Sequence, residues 1–89
     1  MLIEKIGTPA MLEQTAEECS ELAQACLKMA RYMRGENPTT KKEYEITANL
    51  EEEMADVLIC IDELYESFSK FNVDNWIEIK KSRLGDRFI

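Results

Sequence analysis

Between Thr8 and Gly35 the apolar positions recur every three or four residues, at Leu12, Ala16, Cys19, Ala23, Cys26, Ala30 and Met33. That step follows the turn of an α-helix and predicts a helix with one face lined by small side chains. Leu22, Met29 and Met11 widen the face. Thr8 suits a cap, and Pro9 suits the first turn, where its missing N–H is not needed. Gly35, after Arg31 and Arg34, predicts the helix end.

Glu36-Asn37-Pro38-Thr39 reads as a turn. Thr40 with Glu43 predicts a capping box for a second helix. Its expected seam is Ile46, Leu50, Met54, Val57, Ile61, Leu64 and Phe68, with Leu58 and Tyr65 beside it and an end near Lys70. Asn72 or Asp74 would cap a third helix carrying Val73, Trp76, Ile77, Leu84 and Phe88, with Gly85 breaking its last turn. No strand-type alternation and no internal repeat is present. The expected fold is all-α, with two long antiparallel helices and a C-terminal helix across them. It is one domain spanning residues 1–89.

Composition sharpens this picture. A chain of 89 residues with three cysteines and no evident disulfide framework is marginal alone, so oligomerisation is expected to complete the bundle. Cys19, Cys26 and Cys60 lack metal-ligand spacing and read as small buried hydrophobes in a reducing compartment. The net charge of −7 argues against sequence-independent binding to a nucleic-acid polymer and against docking on an anionic membrane. No apolar run approaches the roughly 20 residues of a membrane span. Met1 to Gly7 lacks the apolar core of a signal peptide, so a cytoplasmic location is expected.

Most acidic residues fit solvated faces or caps. Glu53 does not, because at about 100° per residue it falls inside the apolar arc of the second helix. A lone buried carboxylate is costly unless it is paired or binds a metal. Asp56, three residues on, reaches the same point in space. Glu18 and Glu21 repeat that spacing on the first helix. If the helices pack antiparallel, four acids converge across one seam. Like charges so gathered raise each other's pKa, and two answers exist: some of the acids stay protonated, or a divalent cation neutralises them. All-oxygen ligands suit Mg²⁺ or Mn²⁺. The chain has 0 His, which argues against a di-iron centre with Glu-x-x-His pairs and against histidine acid–base catalysis. The competing reading is a buried salt-bridge network with Lys28, Lys80 or Arg83.

The segment Glu17-Glu18-Cys19-Ser20-Glu21 resembles the Glu-Glu-x-x-Glu motif of the MazG-like all-alpha pyrophosphatases. Glu52-Glu53-Met54-Ala55-Asp56 resembles their Glu-x-x-Asp motif. The resemblance runs from about Glu13 to Arg83. It implies a helical bundle that assembles into homodimers or homotetramers. It also implies Mg²⁺-dependent hydrolysis of a nucleoside triphosphate to the monophosphate and pyrophosphate. By motif position Glu18, Glu21, Glu53 and Asp56 would be the metal ligands, and Glu17 or Glu52 could orient a water. The 31 residues between Glu21 and Glu53 exceed the family's usual spacing, the excess falling in Arg34 to Glu45.

Phosphates then need cations. Lys80 and Arg83, with Arg87 one turn on, are the first candidates, and Lys28 is next. Trp76 could stack on a base, but its place among Val73 and Ile77 favours core packing. Two other readings stand beside this one. One is a non-catalytic adaptor that dimerises through the alanine- and cysteine-rich face. The other is a specialist for deoxyuridine or deoxycytidine triphosphate, or for a phosphoribosyl nucleotide.

Overall fold

The computed structural model of the chain describes residues 1–36 and 41–88. The described residues form four helices and no strand: α1 (Leu2–Ile6), α2 (Thr8–Met33), α3 (Glu43–Leu64) and α4 (Lys70–Phe88). Of the expected turn Glu36-Asn37-Pro38-Thr39, all but Glu36 lies outside the described residues, as does the expected cap Thr40. Glu43 opens α3 directly after Lys42, so it is not the third residue of a helix capped by Thr40.

Two glycines punctuate the first half. Gly7 (φ 88°) breaks α1 from α2. Thr8 is therefore the first helical residue and not the cap, and its hydroxyl pairs with that of Ser67 at 2.7 Å. Gly35 (φ 71°) follows the last turn of α2 in the left-handed region that other residues enter at a cost.

α2 and α3 pack along their length. On α2 the buried and half-buried seam is Met11, Thr15, Glu18, Leu22, Ala25, Met29 and Tyr32. On α3 it is Ile46, Leu50, Glu53, Val57, Cys60 and Leu64. Both series alternate steps of four and three, the spacing of helices that mesh side chain into gap. Met11 and Cys60 share a cluster with Ile3, against which Leu64 packs. Further along, Glu18 meets Glu53 and Asp56. Rising numbers on α2 meet falling numbers on α3, so the pair is antiparallel.

On α2 this seam corrects the sequence expectation by one residue; on α3, Ile46, Leu50, Val57 and Leu64 lie where expected, and Glu53 and Cys60 take the places expected of Met54 and Ile61. The stripe expected to be buried on α2 is exposed at Leu12, Ala16, Cys19, Ala23 and Cys26. Of the three cysteines only Cys60 is buried. On α3, Met54 and Ile61 are exposed, as is Phe68 in the turn beyond it. The physical reason is area. Turning Met11, Leu22 and Met29 inward removes more apolar surface from water than turning in alanines does.

The second half also departs from expectation. α3 stops at Leu64, well before Lys70. The N–H of Asn72 donates to Ser69 Oγ at 3.1 Å, so Ser69 caps α4 in place of Asn72 or Asp74. Gly85 does not break α4. α4 does not lie across the hairpin; among the described residues its backbone makes no close approach to the other helices. Trp76, expected in a core, is 55% exposed. Short α1 closes the open end of the hairpin, with Ile3 in the core.

Candidate metal centre

The antiparallel seam carries two carboxylates in positions where apolar side chains would ordinarily mesh. One ligand oxygen from each of Glu18, Glu53 and Asp56 lies within 4.8 Å of the other two. All three residues are half-buried. Glu18 and Glu53 point into the seam from opposite helices, and Asp56 reaches in from one turn along α3.

The surroundings leave these acids short of partners. Gln14 Nε2 donates to Glu18 Oε1 at 2.9 Å. Oε2 of Glu18 and Oε2 of Glu53 are shut off from solvent with no hydrogen-bond partner. The ion pairs seen among the described residues, Met1 with Glu4 and Lys70 with Asp74, involve none of these acids. Loss of solvent holds the Glu18 carboxyl above the usual carboxylate range; Glu21 and Asp56 push the same way, and Gln14 opposes them. Below them the Cys60 thiol is pushed up by burial, with Thr15 opposing. It therefore stays protonated, and a thiol in that form is a poor ligand.

Stepping one residue back from each seam position gives a polar flank on the same side of both helices. On α2 it runs through Glu17, Glu21, Gln24, Lys28 and Arg31, and on α3 through Asn49, Glu52 and Asp56. A cleft of about 380 Å³ opens here. Glu21 and Glu53 line its acidic end, Gln24 and Asn49 its middle, and Lys28 and Arg31 its basic end.

The expected residues thus divide. Glu18, Glu53 and Asp56 come together. Glu21 is exposed but lines the adjoining cleft and adds its charge to that felt by Glu18. Glu17 and Glu52 lie exposed on the same flank, outside the cluster. Lys28 lines the cleft. Lys80 and Arg83 sit with Arg87 along α4, which brings none of them to the carboxylates of its own chain.

Three cleft residues escaped the sequence reading as ligand groups: Gln24, Asn49 and Arg31. Arg31 was legible as the residue three after Lys28, on one helical face. Glu63 was also missed. It is buried, and its Oε1 accepts the backbone N–H groups of Leu2 and of Ile3, the latter at 3.2 Å. Only the presence of α1 explains it. Comparison with protein-family models, with curated proteins and with solved structures finds no match.

Proposed function

We propose that the chain is a Mg²⁺-dependent pyrophosphohydrolase of the MazG-like kind, cleaving a ribo- or deoxynucleoside triphosphate to the monophosphate and pyrophosphate. One observation carries the reading: three carboxylates from two helices share one point, two of their oxygens buried and unpartnered. Mutual repulsion there is relieved by a hard divalent cation such as Mg²⁺, with Mn²⁺ as a substitute. Glu18, Glu53 and Asp56 would hold it, with Glu21 completing the set from the cleft. When bound, the ion supplies polarisation of the phosphoryl oxygens and of the attacking water.

The chain's own groups do the rest. Lys28 and Arg31, at the far end of the cleft, take the outer phosphates and their charge. Gln24 and Asn49 lie between the two ends and can orient the substrate by donating and accepting hydrogen bonds. Glu17, exposed on the same flank, orients the water. Lys80 and Arg83 have no part within one chain, because α4 stands apart.

A screen for pyrophosphate release over ribo- and deoxynucleoside triphosphates, with Mg²⁺, tests the reading. Release from at least one of them, lost in Glu53→Gln, is expected. No release from any, over pH 6 to 9, favours the adaptor reading.

A further inference from the structure

A break is built in between α1 and α2. Pro9 has no N–H to give the carbonyl of Lys5, and its ring would clash there, so one helix cannot run through both. Gly7 turns the chain at φ 88°, a backbone conformation that other residues enter at a cost. Beyond the break, the 2.7 Å hydroxyl pair ties Thr8 to Ser67, in the turn after α3. The start of α2 is thus fastened to the hairpin without help from α1. Little fastens α1 itself. Ile3 is its one buried side chain, whereas Leu2 is 45% exposed and Ile6 41%. The N–H groups of Leu2 and Ile3 end on Glu63 Oε1. The other oxygen of that buried carboxylate is shut off from solvent without a partner. Closure therefore carries a desolvation cost that opening removes.

We infer that α1 is a hinged strap. It swings away at Gly7 while α2 and α3 stay paired, and its opening is the route by which reagents reach Cys60. Ile3 shares a core cluster with Cys60 and Met11, and Cys60 is 6% exposed while the strap is shut. Cys19 and Cys26 are exposed and need no such opening. Cys60 stands one helical turn from Asp56, on the side of the carboxylate cluster that faces α1. The strap thus closes the end of the seam beneath the acids, and a group admitted under it enters the seam from inside the hairpin. Opening of so small a unit belongs to the local, sub-global kind, distinct from unfolding of the whole chain.

Thiol labelling tests this without metal or nucleotide, so the result is independent of the enzymatic reading. In a full-length chain carrying Cys19→Ser and Cys26→Ser, Cys60 is the one thiol left. Its thiolate attacks the disulfide of dithiobis(nitrobenzoate), forms a mixed disulfide and releases a coloured thiolate. When reclosing outruns this reaction, the rate reports the population of the open form. The rate should lie far below that of the urea-unfolded chain. It should also stay flat in urea below the unfolding transition, because a strap of 5 residues exposes little surface. Ile3→Ala should speed labelling at least about tenfold. Leu2→Pro removes one of the two N–H groups held by Glu63, at the first helical position, where proline is accepted, and should speed labelling about threefold or more. Ile46→Val, 2% exposed at the far end of the seam, weakens the hairpin instead and should leave the rate unchanged. A rate that climbs with urea as global unfolding does overturns the proposal. So does an Ile46→Val chain that labels as fast as Ile3→Ala, or a Leu2→Pro chain that labels no faster than its parent. Cys60 reacting equally fast in the folded and unfolded chains overturns it too.

Discussion

Glu53 stands where helix packing would otherwise place an aliphatic side chain, with one oxygen buried and unpartnered. Replacing it by glutamine removes a charge that metal-free folding must tolerate. Without metal, Glu53→Gln should therefore equal or exceed the wild type by up to about 1–3 kcal/mol in denaturant melts, while activity is lost. A variant that is clearly less stable without metal would mean that Glu53 is satisfied as it stands. Glu18 adds a pH dependence. Its folded pKa lies above the ordinary 4.5. Its contribution to stability is therefore full below pH 4.5 and falls as pH rises through the raised value. Metal-free wild type should lose stability over that window relative to Glu18→Gln, as read from thermal midpoints at stepped pH. The acids were legible in the sequence because a carboxylate breaks the apolar period. The amides of Gln24 and Asn49 were not, because a polar residue on a polar flank breaks nothing.

At the scale of elements, α2 and α3 were readable from period alone, as was the end of α2 at Gly35. The facing side of α3 was largely readable, through Ile46, Leu50, Val57 and Leu64, but that of α2 was not. Two apolar rows adjoin on α2, and periodicity does not say which one a neighbour covers. The burial of Met11 settles it: the side chain is 0% exposed. Met11→Ala should cost about 2–5 kcal/mol, enough to unfold much of so small a domain. Circular dichroism in urea would register this, whereas Ala16→Ser on the exposed row should change stability by less than about 0.5 kcal/mol. α1 had too few residues to announce itself. It is held by Glu63, whose Oε1 takes two of its free N–H groups. Glu63→Ala should destabilise by about 1–3 kcal/mol and speed hydrogen exchange in α1 first. Uniform loss of protection along the chain would contradict that role.

For the whole molecule, the hairpin divides labour between its flanks. One gathers acids, amides and cations around a cleft, and the other is apolar and uncharged but for Glu51. Helix α4 adds a further exposed apolar surface with Phe71 and Trp76. The all-α class was plain from the sequence, but the independence of α4 was not, since an amphipathic pattern names no partner. At fixed protein concentration, Mg²⁺ at about a hundredfold over its Kd should stabilise by about 2.7 kcal/mol, roughly 10–20 °C in Tm for this size.

The most direct measurement follows free Mn²⁺ by its paramagnetic signal during titration into wild type and into Glu53→Gln. The seam carboxylates predict saturable uptake by the wild type, competition by Mg²⁺, and binding at least about tenfold weaker in the variant. No saturable uptake by the wild type, or equal uptake by both, would contradict the metal centre.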